Sequence, residues 1–290
     1  MRSQRRARSQ RLKRLPGGRQ ALPGGAGRDS RCGGALGSGL LGPNPTALRG
    51  DRGDGRGYLR AMRLADLALS PLYLAQALRF IARTERLPEA AGPREGQIGQ
   101  GPGLRLLILG DSSGAGVGVA HQDQALVGQM LRHLAPVVPV QWQVIARSGA
   151  TTARARRMLH GAGAFDIAVL ALGVNDVLRQ TSAHRFARQQ AALMADLRAR
   201  HGVQHILASA VPPFGGFTAL PDPLRGYLHG RATRLDAVLR GVCAQAGACH
   251  VPFDLAPDMA WLARDGLHPG PALYAEWGQR MAGLALARLS

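Results

Sequence analysis

Short apolar runs alternate with longer amphipathic stretches over residues 104–289, and this alternation constrains the fold more than any other feature. Each apolar run suits one buried strand, and each amphipathic stretch is long enough for a helix. Strands joined through helices run parallel, and a parallel sheet needs helices on both faces. The pattern therefore predicts a three-layer α/β/α fold with a central parallel sheet. The predicted strands are 104–109, 140–146, 166–172, 205–210 and 250–253, and the predicted helices are 124–134, 152–160, a helix capped by Ser182, 224–245 and 271–289.

Residues suited to nucleophilic catalysis follow several of the predicted strands. Ser112 lies in the turn Gly-Asp-Ser-Ser-Gly at 110–114, where the first strand is expected to pass into a helix. Such a turn exposes the hydroxyl and leaves backbone N–H groups free to bind an anion. Gly149 and Asn175 also lie just past strand ends, where open α/β sheets bind their reactants. A hydroxyl beside free donors predicts a site for acyl transfer.

A base and an orienting carboxylate stand near the end of the chain. Asp265 and His268 share the short segment Asp-Gly-Leu-His, so they can meet within one turn. His268 would take the Ser112 proton during attack on an ester, and Asp265 would hold the imidazole tautomer. The N–H groups of Ser112 and Gly149 and the amide of Asn175 would stabilise the oxyanion. The residues predict a serine esterase that forms an acyl-serine intermediate.

These motifs resemble those of the SGNH hydrolases, the GDSL family of esterases and lipases, over roughly residues 104–289. The resemblance implies a flavodoxin-like SGNH hydrolase domain at 104–290 with no cofactor and no metal ion. Ser113 stands where the name GDSL has leucine, at a position that varies among relatives. The letters S, G, N and H of that name fall on Ser112, Gly149, Asn175 and His268.

The first part of the chain differs in composition from the rest. Up to Arg60 it holds 14 of the 37 Lys and Arg residues but only 3 of the 18 Asp and Glu residues. Such a basic, glycine-rich segment buries too little surface to offset its ordering entropy, so residues 1–61 are expected to be a disordered extension. Aromatic residues are absent before Tyr58, which argues against nucleic-acid binding. The mature chain is expected to start at Met1 or Met62.

Residues 62–103 are expected to form an N-terminal helix and a linker. Ser70 as cap and Pro71 at the first position predict a helix over 70–83 with a broad apolar surface. This helix could pack on the hydrolase domain, make peripheral membrane contact or belong to a signal peptide. Asp66 interrupts the apolar stretch, which also falls short of the ~20 residues needed to span a bilayer. The chain is therefore expected to be cytoplasmic or peripherally membrane-associated rather than secreted.

Three functions remain open at this point. The first is hydrolysis of a small-molecule or lipid-like carboxylic ester. The second is transfer or removal of acyl groups on a carbohydrate by the same chemistry, because the acceptor cannot be read from these residues. The third is a non-catalytic, basic-tailed interaction protein, against which the complete set of catalytic residues argues. The oligomeric state is left open.

Overall fold

The computed structural model describes residues 54–217, 219–253 and 261–289, with side chains from residue 68 onwards. Most of the predicted extension at 1–61 therefore lies outside the described residues. In chain order the elements are α1 (Asp54–Arg83), β1 (Glu95–Ile98), β2 (Leu104–Gly110), α2 (Leu126–Leu134), β3 (Val140–Ala146), α3 (Thr152–Met158), β4 (Ile167–Ala171), α4 (Val174–Leu178), α5 (Ala183–His201), β5 (His205–Ser209), α6 (Leu224–Ala246), β6 (Cys249–Val251) and α7 (Pro271–Leu286).

The described strands form one six-stranded sheet in the order β1-β3-β2-β4-β5-β6. Neighbouring strands from β3 to β6 run parallel, and only β1 pairs antiparallel, with β3 at the sheet edge. This sheet, with helices around it, confirms the predicted α/β fold. The sequence did not predict β1, because all of its side chains are exposed and no apolar alternation marks it.

Strand β2 illustrates how both faces of the sheet are buried. Leu107 and Leu109 belong to the core on one face, whereas Leu106 and Ile108 belong to the core on the other. A continuous apolar run is typical of a strand that helices cover on both sides. Side chains from α2 and α7 complete one core, and side chains from α3, α5 and α6 complete the other.

Three parallel strands end side by side and thereby position the candidate site. The register pairs Gly110 at the end of β2 with the last residues of both β3 and β4. The segments that follow carry Ser112, Gly149 and Asn175. Residues far apart in sequence therefore emerge at one edge of the sheet.

Helix α1 begins earlier than the sequence predicts. It starts at Asp54 and runs through Ser70 and Pro71, so the predicted start at Ser70 is wrong. A proline inside a helix removes one backbone hydrogen bond, at a cost of about 3 kcal/mol. Packing of Tyr73 and Phe80 against the domain core stabilises the helix beyond the proline. Over the described residues, none of the helices combines the length and apolar character needed to cross a membrane.

Candidate active site

A cleft of about 1040 Å³ opens at the carboxyl ends of the strands. Ser112, Gly149 and Asn175 line it from the segments after β2, β3 and β4. Asp265 and His268 line it from the segment before α7. The structure thus brings all five residues predicted for the site into one cleft.

His268 connects the serine to the aspartate. Its Nε2 lies 2.9 Å from Oγ of Ser112, and its Nδ1 lies 2.5 Å from Oδ2 of Asp265. Because an ionised carboxylate can only accept hydrogen bonds, Nδ1 carries the proton and donates it. Nε2 is then left to accept from the serine hydroxyl. In this tautomer the histidine can act as a base toward Ser112.

The carboxylate of Asp265 is held by its own loop. Its side chain is 1% exposed, and Oδ1 accepts hydrogen bonds from the N–H groups of Leu267 and His268, each at 3.0 Å. Burial would raise the pKa of Asp265, but the bond from the His268 ring and the two backbone bonds outweigh burial and lower the pKa below its usual value. Asp265 is therefore ionised at neutral pH, which favours the proton on Nδ1 of His268.

The turn that presents Ser112 differs from the predicted passage into a helix. Residues 111–119 form successive turns and bends, and α2 begins only at Leu126. Gly116 and Gly118 have φ values of +81° and +107°, which interrupt a helix and favour glycine. The N–H of Ser112 is therefore freed by a turn and not by a helix N-terminus.

Three hydrogen-bond donors predicted for an oxyanion hole face the same cleft. Within the part of the chain that the structure describes, the backbone N–H groups of Ser112 and Gly149 have no acceptor. Gly149 has φ of +76°, and apart from its chain neighbours no described residue has an atom within 4 Å of where a Cβ would stand, so the space beside it is open among these residues. One N–H of the Asn175 amide donates to Oδ2 of Asp111 at 3.1 Å, which leaves the other N–H for an anion.

Asp111 links the nucleophile turn to Asn175. It is buried, and its Oδ1 accepts the N–H of Ser113 at 3.0 Å while Oδ2 accepts the Asn175 amide. Burial raises the pKa of Asp111 to about 6, although both hydrogen bonds and the nearby His268 oppose the rise. At neutral pH the carboxylate is ionised, and it orients the Asn175 amide by accepting from it.

Asp176 connects the two segments that carry the other predicted oxyanion donors, Gly149 and Asn175. It is fully buried and accepts from the N–H and Oγ of Thr152, at 2.9 and 2.8 Å, and from Oγ of Thr181 at 3.3 Å. Thr152 begins α3 just after the loop of Gly149, and Asp176 directly follows Asn175. These bonds hold the Gly149 loop and the Asn175 amide at a defined separation.

Two neighbouring serines occupy different positions. Ser113 uses its backbone N–H to reach Asp111, and Ser148 donates its backbone N–H to Oε1 of Glu89 at 2.7 Å. The only serine hydroxyl within hydrogen-bond distance of His268, over the described ranges, is that of Ser112. The geometry favours Ser112 as the nucleophile.

The sequence profile of the GDSL-like lipase/acylhydrolase family matches residues 108–276, more than half of the chain and all five site residues. This chain belongs to that family. The match confirms the resemblance that the motifs indicated.

This GDSL-family chain is 27% identical over 186 residues to GDSL-like esterase Rv1075c of Mycobacterium tuberculosis, covering 59% of this chain. The alignment covers 58% of the relative, so the chain spans less than two thirds of that protein's length. The lipase/acylhydrolase from Enterococcus faecalis superposes with a TM-score of 0.51 at 20% identity, over 64% of this chain and 96% of its own. Esterase EstA from Pseudoalteromonas sp. gives 0.51 at 19% identity, over 64% and 98%. At such identities the likeness shows the fold.

Two further residues support the site of this GDSL-family chain, and the motifs did not reveal them. Glu89 accepts from Ser148 and pairs with Arg94 at 2.6 Å, which tethers the loop of Gly149. The hydroxyl of Tyr274 lies 2.9 Å from the backbone oxygen of Ser113, within the nucleophile turn. The contact of Glu89 with Ser148 and that of Tyr274 with Ser113 each join residues that are remote in sequence. No local sequence pattern around Glu89 or Tyr274 could therefore have predicted these contacts.

Replacing Asn175 with alanine should lower kcat by about 10²–10³-fold and leave KM nearly unchanged. An oxyanion donor acts mainly in the transition state, so its loss affects turnover more than substrate binding. Steady-state kinetics on a soluble p-nitrophenyl ester measures both constants. Asn175→Asp preserves the size but removes the N–H donor, and it should be comparably slow. An effect confined to KM would contradict the assigned role.

Ionisation of Asp111 should destabilise the fold as the pH rises from about 4 to about 6. The unfolded carboxyl titrates near 3.9, whereas burial raises the folded pKa to about 6. The unfolded state therefore loses this proton first, which favours unfolding over that interval. Urea unfolding of wild type and Asp111→Asn at pH 4–8 isolates the effect, because other titrations cancel in the difference. Wild type should lose stability relative to the variant up to about pH 6 and not beyond. A pH-independent difference would contradict the expectation.

Proposed function

We propose that this protein is a serine esterase that hydrolyses carboxylic esters through an acyl-serine intermediate on Ser112. The observation that carries the proposal is the continuous hydrogen-bonded chain from Ser112 Oγ through His268 to Asp265. The N–H groups of Ser112 and Gly149, which have no acceptor among the residues that the structure describes, lie in the same cleft and add to it, because a tetrahedral oxyanion needs donors of this kind.

Acylation begins when Oγ of Ser112 attacks the ester carbonyl carbon and its proton passes to Nε2 of His268. The carbonyl oxygen becomes an oxyanion, which the Ser112 and Gly149 N–H groups and the Asn175 amide stabilise. The imidazolium, held by ionised Asp265, then protonates the alkoxide oxygen as the carbon–oxygen bond breaks. The alcohol leaves, and the acyl group remains on the serine.

Deacylation repeats these steps with water as the nucleophile. The water oxygen attacks the acyl carbon while Nε2 of His268 takes one proton from the water. The same donors stabilise the second oxyanion. Collapse of this intermediate releases the carboxylic acid, and the imidazolium returns its proton to Oγ of Ser112. The enzyme is regenerated without net change in charge or protons.

The cleft suits a substrate with an apolar acyl group better than it suits a carbohydrate. Its lining is mostly apolar, and a sugar would need convergent polar groups to replace its hydration. The apolar residues include Leu172, Phe214, Phe217, Leu224, Leu267 and Trp277. We therefore favour a lipid-like ester as substrate over acyl transfer to a carbohydrate.

The test combines turnover with location of the nucleophile. The full-length chain should hydrolyse p-nitrophenyl butyrate and should react once with a fluorophosphonate, an organophosphorus class related to the monoethylphosphonate that inhibits EstA. Peptide mass spectrometry should place the adduct on Ser112. An adduct on Ser113 or Ser148 would overturn the assigned nucleophile, and absence of both turnover and labelling would overturn the proposed function.

A further inference from the structure

The carboxyl-terminal half of α1 forms part of the catalytic cleft. Tyr73, Ala77 and Phe80 pack against the core that includes α6. Leu74 and Ile81 lie beside them on the helix and line the cleft. Since residues three and four positions apart share one side of a helix, these side chains form a single apolar strip.

Specific contacts attach this half of α1 to the start of α6. The amide of Gln76 donates to the backbone oxygen of Asp222 at 2.8 Å and accepts from the N–H of Leu224 at 3.2 Å. Leu224 is the first residue of α6, whose terminal N–H groups have no partner within the helix. The ring of Tyr73 stacks on that of Tyr227 with centroids 4.6 Å apart. The helix is therefore a fixed wall of the cleft.

The cleft is larger than hydrolysis of a short ester requires. At about 1040 Å³ it reaches the upper end of the roughly 300–1,000 Å³ common for small-molecule sites. Phe214 and Phe217 from the segment after β5, and Leu228 from α6, extend its apolar lining. Ser112 lines the same cavity, so an acyl group attached to its Oγ can extend along these side chains.

Two aliphatic side chains of this wall are exposed to water. Leu74 is 61% exposed and Ile81 is 58% exposed, although both line the cleft. Covering apolar side chains with a hydrocarbon removes them from water, which is favourable. An acyl chain bound in the cleft would supply that cover.

We propose that the second half of α1 is one wall of an acyl-binding groove and that it selects esters with medium or long acyl chains. The inference rests on the proposed esterase function, since it assigns the acyl group of that reaction to this groove. The family profile begins at residue 108, so α1 lies outside the span shared with the family. The acyl preference is therefore set by a helix that precedes the matched hydrolase domain.

The experiment compares kcat/KM for p-nitrophenyl acetate, butyrate, octanoate and decanoate, each below its critical micelle concentration. In the full-length chain, kcat/KM should rise with acyl length. The double variant Leu74→Gln with Ile81→Gln should lower the ratio of kcat/KM for decanoate to kcat/KM for acetate by about 10-fold, because each buried methylene contributes about fourfold. Fluorophosphonate labelling of Ser112 at the wild-type rate shows that this variant keeps its active site.

A matched control uses the same helix. Leu72 and Leu78 are 43% and 59% exposed but do not line the cleft, so Leu72→Gln with Leu78→Gln should retain the wild-type chain-length profile. Equal losses in both double variants would overturn the groove and would indicate a general effect of the helix surface. If the chain hydrolyses p-nitrophenyl acetate but kcat/KM does not rise toward decanoate, the proposed groove is overturned and the proposed esterase function is not. Failure to hydrolyse any ester would overturn the proposed function and the groove together.

Discussion

Replacement of Ser112 with alanine should lower kcat for ester hydrolysis on the order of 10⁶-fold, because residues of a serine–histidine–aspartate unit act together and loss of the nucleophile removes the acyl-enzyme route. In the proposed mechanism the Oγ of Ser112 accepts the acyl group, and this atom lies 2.9 Å from Nε2 of His268. Burst kinetics with a p-nitrophenyl ester and fluorophosphonate labelling both measure the loss. The fold should be retained, as a thermal melt can verify, since the side chain lies at the cleft surface.

Ser113→Ala and Ser148→Ala are the matched controls for this prediction. Both residues line the same cleft. The backbone N–H of Ser113 donates to Asp111, and that of Ser148 donates to Glu89. Each variant should remain within a few-fold of wild type. A loss on the order of 10⁶-fold in either control, with Ser112→Ala still active, would move the nucleophile away from Ser112.

Replacement of Asp265 with asparagine should lower kcat by about 10⁴-fold through the histidine tautomer. Oδ1 accepts two backbone N–H bonds, so the asparagine oxygen would take that position and its NH₂ would face Nδ1 of His268. Nδ1 must then accept, the proton moves to Nε2, and Nε2 can no longer accept the proton of Ser112. Pre-steady-state kinetics should locate the loss in the acylation step.

Another aspartate–histidine pair provides the control for Asp265. Asp123 pairs with His121 at 3.1 Å, and both side chains are largely exposed and lie away from the cleft lining. Asp123→Asn should therefore keep wild-type activity. If Asp265→Asn were equally active, Asp265 would not set the tautomer, and the proposed assignment of the base would fail.

The arrangement of the candidate site could be predicted because its elements are local. Ser112, Gly149 and Asn175 each follow an apolar run that is short enough for a strand, and parallel strands bring their carboxyl ends to one edge. Asp265 and His268 are close in sequence, so their contact needs only one loop. The order of the motifs and their positions just after strand ends were therefore sufficient to predict that these residues lie in one site.

Predictions that depended on distant packing were incomplete. The cap and proline at Ser70 and Pro71 indicate a helix start, yet α1 begins at Asp54 and runs through the proline, and packing of Tyr73 and Phe80 on the core stabilises the part of the helix beyond it. The edge strand β1 has no apolar side to mark it. In both cases local sequence preference competes with tertiary contacts, and the contacts decide the outcome.

The sequence by itself determined the layer order, the strand ends and the residue types of the site, since apolar periodicity and turn chemistry act over a few residues. Only the tertiary structure decided which ring nitrogen of His268 meets Ser112, and that buried Asp111 orients Asn175. It also decided that α1 becomes a wall of the cleft through Gln76. The physical reason is that hydrogen bonds and burial between remote segments depend on how the folded chain excludes water, which no short stretch of sequence encodes.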